Sequence, residues 1–124
     1  MIYHIVAGEE MKKLLRDRFV SIPFNEDMSK GGYSKKPFSD DFIKERSEFH
    51  KVTTDDYLNH MAEFLSILPK IKQDDTIHLY FGDDPVCKAN SNILIEYFID
   101  KVDSIFFHLM NEYKGIEISV KRIK

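Results

Sequence analysis

The stretch Thr76-Ile-His-Leu-Tyr-Phe-Gly-Asp-Asp-Pro-Val-Cys-Lys-Ala-Asn90 decides how the chain folds. Ile77, Leu79 and Phe81 alternate with His78 and Tyr80 and stop at Gly82, which reads as a strand. Asp84 followed by Pro85 is a helix start, because the Asp side chain accepts an orphan backbone N–H and proline brings no N–H that needs a partner. The helix is expected to run to about Lys101, with Val86, Asn90, Ile93, Leu94, Tyr97 and Phe98 on one face. A strand that feeds directly into a helix is half of a β-α-β unit, so a parallel sheet is expected around it.

The same grammar extends outward in both directions. Ile2 to Ala7 is an apolar run closed by Gly8, and Glu9 to Asp17 carries Met11, Leu14 and Leu15 at helical spacing. Phe19 to Phe24 reads as a second strand, with Pro23 marking its end or an edge. Asn25 to Phe38, with Gly31, Gly32 and Pro37, is turn chemistry over an unusually long connection. Ser39 caps a helix from Asp40 to about His50; Thr54 caps another from Asp55 to Lys70, where Tyr57, Leu58, Met61, Phe64, Leu65 and Leu68 form a wide stripe. Past Lys101, Ser104 to Met110 is apolar on both faces, whereas Ile116, Ile118 and Val120 alternate with Glu117, Ser119 and Lys121. The link Asn111 to Gly115 is too short for a crossover helix, so these two strands form an antiparallel hairpin. The expectation is an α/β, three-layer domain spanning 1–124. A mostly parallel sheet of about five strands has helices on both faces and an antiparallel C-terminal edge hairpin.

Composition bounds the function. At 124 residues the chain is one domain long, and 43% hydrophobic content supports a packed core. Eighteen Lys and Arg against 21 Asp and Glu give a net charge of −3, the wrong sign for general nucleic-acid binding. The single cysteine, Cys87, cannot form an internal disulfide, and the N-terminus lacks the basic region of a signal peptide, which reads as a cytoplasmic protein. Ile105 to Met110 is too short to span a bilayer, so no membrane role is expected. The sequence contains no GxGxxG, GxxxxGK[ST], HExxH or EF-hand loop.

In open α/β sheets, ligands sit beyond the carboxyl ends of the strands. That selects the loops Gly8-Glu9-Glu10, Asn25 to Ser29, Gly82-Asp83-Asp84 and the approach to Asn111-Glu112. Carboxylates converging there, Asp27 and Asp83 in particular, suit a hard divalent cation such as Mg²⁺, although post-strand acids also serve as turns and caps. Arg46 shares a helix face with Phe42 and Phe49. Its head either reaches the surface, or pairs with an acidic loop residue such as Asp27 or Asp83, or binds an anionic ligand. Asn90 sits among apolar positions and needs partners, in the Gly82-Asp83 turn or in a ligand. Cys87, in a helix's first turn, is either a nucleophile or a small buried hydrophobe. The five histidines, three of them on strands, read as structural. Lys114, Lys121, Arg122 and Lys124 read as charge guarding an edge. The site expected from these residues comprises Glu9, Asp27, Ser29, Arg46, Asp83 and Asn90.

Taken together, the opening Ile-Val-Ala-Gly-Glu segment, Asp27-Met-Ser-Lys-Gly31, Arg46-x-x-Phe49 and Tyr80-Phe-Gly-Asp-Asp-Pro-Val-Cys-Lys-Ala-Asn90 resemble the DUF1835 family, a bacterial domain of unknown function. The resemblance runs from roughly Met1 to Lys101. Glu10 stands where a Ser commonly follows in that pattern, and Gly32 where a Pro does; a carboxylate at position 10 repels phosphate from the first loop. The resemblance implies no assigned activity. The functional expectation is therefore a small-ligand or ion-binding module that takes a small anionic ligand or nucleotide. Its competitors are a divalent-metal-dependent phosphoesterase or nucleotide-processing enzyme, and a regulatory interaction module in which Arg46 and Asn90 only brace the fold. An oligomer is possible through the edge strand.

Overall fold

A computed structural model describes all residues, Met1–Lys124. Strands and helices follow in the order β1 (Ile2–Val6), α1 (Glu9–Leu15), β2 (Ile22–Pro23), α2 (Asp40–His50), α3 (Thr54–His60), α4 (Ala62–Ile67), one 3-10 turn (Leu68–Lys70), β3 (Thr76–Phe81), α5 (Pro85–Phe98), β4 (Ser104–Asn111) and β5 (Ile116–Arg122). The strands form one sheet in the order β2-β1-β3-β4-β5. Every pair is parallel except β4 with β5, the expected antiparallel edge hairpin.

Two helix starts form as their sequences predict. The Ser39 hydroxyl accepts the Phe42 N–H at 3.2 Å, and the Asp84 carboxylate accepts the Cys87 N–H at 2.9 Å, with Pro85 opening α5. Three boundaries differ. Thr53, one residue earlier than expected, caps α3 by accepting the Asp56 N–H at 3.0 Å. The expected long helix breaks at Met61, whose φ of −96° and ψ of 8° leave the helical well, and it ends in a 3-10 turn that contains Pro69. Only Ile22–Pro23 of the expected second strand pairs with β1.

The helices divide unequally between the two faces of the sheet. Ile5, Ile77, Leu79, Phe81 and Ile105 point to one face, where α2 to α5 contribute Phe42, Tyr57, Met61, Phe64, Leu94 and Phe98, all buried. Burying each such side chain contributes roughly 1.5–3 kcal/mol. Val6, Tyr80 and Met110 point to the other face, beneath Met11 and Leu15 of α1 alone. Right-handed crossovers cause this asymmetry. The chain moves outward from β1 to β2 and then back across β1 to β3 and β4, so only the first crossover helix lands on the second face.

Where α1 does not reach, that second face carries His4, His78 and Phe106 in register across three strands. The three strand histidines, read from the sequence as structural, meet here. His78 Nδ1 lies 2.7 Å from His108 Nε2, His4 Nδ1 lies 2.8 Å from the Tyr80 hydroxyl, and His108 Nδ1 contacts Glu117. Partial burial, then the neighbouring imidazoles of His108 and His4, push His78 down to about 4 and hold it neutral at physiological pH. No helix is long and apolar enough to cross a membrane.

Candidate functional site

Parallel pairing places the carboxyl ends of β1 to β4 along one edge, and the loops there divide into two cavities. The larger is a cleft of about 1280 Å³ between the loops that follow β1 and β2 and the helices α2 to α4. The smaller, about 230 Å³, lies between β1 and β3, where the chain's direction of travel through the sheet reverses, and includes Asp84, Cys87 and Glu112. Small-molecule sites usually occupy about 300–1,000 Å³, so the larger cleft has room for a ligand and the smaller falls short.

The floor of the cleft is built on a buried ion pair. Phe24, Glu26 and Met28 are buried and alternate with the partly exposed Asn25 and Asp27, so the extended backbone after β2 turns Glu26 inward. Arg46 sits one helical turn after Phe42 and is itself 0% exposed. Its Nε donates to Glu26 Oε2 at 3.0 Å and its Nη2 to Oε1 at 2.9 Å, the bidentate geometry in which Arg binds carboxylate most strongly. The remaining donors go to the carbonyls of Asp27, Lys30 and Gly32 at 2.9, 2.8 and 2.8 Å. A guanidinium has five N–H donors, and all five are used.

Glu26 is equally saturated. Besides Arg46 it accepts the Tyr57 hydroxyl at 2.7 Å, the Asp27 N–H at 2.8 Å and His50 Nε2 at 2.7 Å. Burial alone raises a carboxyl pKa, but the donors from Arg46, Tyr57, Asp27 and His50 outweigh it and hold Glu26 at about 2. Burial first, then the Glu26 charge beside it, drive Tyr57 upward, so it remains a donor. Because the ionised carboxylate only accepts, His50 must present Nε2–H to it, and in that neutral tautomer Nδ1 is an acceptor. His50 lines the cleft.

The structure separates the expected site residues. Glu9 and Asp27 line the large cleft, with Glu9 accepting the Asn25 amide at 3.0 Å. Ser29 is exposed and donates its hydroxyl to Asp27. Arg46 lies behind the floor, and its partner is Glu26 together with backbone carbonyls rather than the side chains of Asp27 or Asp83. Asn90 donates to the Glu26 carbonyl at 2.6 Å and accepts the Met28 N–H at 2.8 Å. It therefore secures the loop after β2 instead of the Gly82-Asp83 turn. Asp83 is exposed and borders neither cavity. Asp27 and Asp83 thus do not border a common cavity. The one group of three converging metal-ligand side chains is Asp84, Cys87 and Glu112, whose ligand atoms lie within 4.8 Å of one another. Within it the Cys87 thiol donates to Glu112 Oε1 at 2.6 Å, and burial followed by that carboxylate pushes the thiol upward, away from nucleophilic character.

Sequence reasoning missed Glu26, His50, Asp56 and Tyr57 as cleft residues. One signal for Glu26 was present: alternation from Phe24 through Met28 turns position 26 inward, and an inward Arg46 requires an inward acid. The other three come from helices whose packing across the loop is not visible in any local pattern. No protein-family model, curated protein or solved structure matches the chain.

Proposed function

We propose that the protein is a small-ligand-binding module whose site is the cleft at the carboxyl ends of β1 and β2. One observation carries this reading: an open cavity of about 1280 Å³ stands on a floor that is rigid and electrostatically complete. Buried ion pairs cost desolvation and seldom add net stability. The concentration of Arg46, Glu26, His50, Tyr57 and Asn90 under one loop suits preorganisation of the surface above it. Support also comes from position, because open α/β sheets bind ligands beyond the carboxyl ends of their strands. Arg46 and Asn90 brace the floor, a role that the interaction-module reading also gives them. The large cleft is what favours ligand binding over that alternative. The lone buried cysteine fits a reducing compartment such as the cytoplasm.

The test is a thermal-shift screen with nucleotides, divalent cations, amines and small organic acids. It is run in parallel on Ala62→Trp, which places a bulky side chain at an exposed position lining the cleft. At least one ligand class is expected to raise the melting temperature of the wild type and to lose that effect in Ala62→Trp. A wild-type melting temperature that stays constant across all classes would refute the proposal.

A further inference from the structure

The lining of the same cleft is acidic. Six carboxylates line it, from Glu9, Glu10, Glu26, Asp27, Asp56 and Glu63, and no Lys or Arg does; the other ionisable side chains of the lining are His50, His60 and Tyr57. Two of the six are neutralised from outside the lining. Arg46 holds Glu26 from behind, and Lys12 reaches Glu63 at 2.8 Å. Glu10 has Lys13 at 3.5 Å on the exposed surface; Glu9, Asp27 and Asp56 make no ion pair, although the Lys12 charge also acts on Glu9. An anion in the cleft would meet these charges with no donor from Arg46, whose five N–H groups are all bound within the protein.

The lining offers no three-ligand chelate for a bare metal ion. A divalent ion needs oxygen or nitrogen atoms converging at about 2.0–2.6 Å from one point. No three acidic, histidine or cysteine side chains in the cleft come close enough to provide that, since the only such group lies in the other cavity. Carboxylates dispersed around a roomy cavity fit a ligand whose positive charge is spread along an apolar body, as in an aliphatic amine. Ala7, Pro23 and Val52 offer apolar surface between the acids. His50 adds an acceptor: with Nε2–H fixed on Glu26, its Nδ1 lone pair can receive an ammonium N–H.

Resting on the binding-module reading above, we infer that the cleft takes a small organic cation, an aliphatic di- or polyamine or an amine-bearing metabolite. Its ammonium groups are received by Glu9, Asp27 and Asp56 and by His50 Nδ1. Isothermal titration calorimetry at fixed ionic strength tests this with putrescine and spermidine, using 1,4-butanediol as the neutral counterpart and Mn²⁺, inorganic phosphate and ATP as the other classes. Saturable binding of an amine is expected, weakened roughly tenfold or more by Asp56→Asn and by Glu9→Gln, the loss of one charge-assisted contact. Asp100→Asn, an exposed acid just after α5 and outside the cleft, should leave the affinity unchanged. If ATP, phosphate or Mn²⁺ binds and the amines do no better than butanediol, the ligand class is wrong while the binding module stands. If Asp100→Asn weakens amine binding as much as Asp56→Asn, the attraction is diffuse surface charge and the inference fails. Silence across the whole panel would remove both the inference and the reading beneath it.

Discussion

Replacing Arg46 with Met keeps most of the side-chain volume but removes the cation from a carboxylate whose side chain is 1% exposed. Breaking a buried ion pair by deleting one partner typically costs about 3–5 kcal/mol, because the remaining charge is left buried and unpaired. The carbonyls of Asp27, Lys30 and Gly32 lose their donors as well. A loss of about 4 kcal/mol at pH 7 is therefore expected, a large share of the roughly 5–15 kcal/mol that stabilises a domain. Urea denaturation followed by circular dichroism measures it. The pH dependence supplies a second check. In the native protein Glu26 titrates at about 2, against 4.5 for an unperturbed Glu, so its contribution is complete above pH 4.5 and is lost as the pH falls toward 2. In Arg46→Met, burial without the cation raises the Glu26 pKa, so the carboxyl is protonated at mild acidity and the variant's deficit should be smaller at pH 4 than at pH 7. Arg46→Met combined with Glu26→Leu should recover much of the loss, because the buried charge is gone. A deficit below about 1 kcal/mol at pH 7, or a double variant no more stable than Arg46→Met, would refute the view that these two residues hold the floor as a coupled pair.

Other consequences can be checked separately. Asn90→Leu leaves the Met28 N–H and the Glu26 carbonyl without partners and should cost about 1–3 kcal/mol in the same denaturation assay, with the loop after β2 exchanging its amides faster. Asp84→Ala removes the α5 cap and should cost about 1 kcal/mol, read as a lower denaturation midpoint with an unchanged slope. His78 is held neutral to about pH 4 in the fold, whereas an unperturbed imidazole titrates at 6.5. Its contribution is therefore complete above pH 6.5 and declines as the pH falls from 6.5 toward 4, because the unfolded chain takes up the proton first. His78→Phe should flatten that part of the melting-temperature profile, and an equally steep profile in the variant would show that the histidine cluster is not its source.

The layered plan was legible because its signals are local. Alternation in Thr76–Phe81, the caps at Ser39 and Asp84 and the short link between the last two strands each act within a few residues, and each appears in the fold as expected. The inward position of Arg46 was legible too, since it follows from helical spacing beside Phe42. Alternation turns Glu26 inward as well, but nothing local says that the two meet. Arg46 and Glu26 are 20 positions apart, separated by a long loop whose path has no periodicity to read.

The chain by itself determined an α/β architecture, its mostly parallel strands and the placement of an arginine and an asparagine on apolar helix faces, because side-chain period and backbone capping are properties of neighbouring residues. Tertiary structure decided the rest. Crossover handedness placed α1 alone on one face of the sheet, and the strand register brought His4, His78 and His108 together there. The packing of α2 and α3 against the loop after β2 turned Glu26 into a buried counter-ion and set His50 beside it. It also made an acidic cleft out of carboxylates of which position along the sequence marks only Glu9 and Asp27 as site candidates.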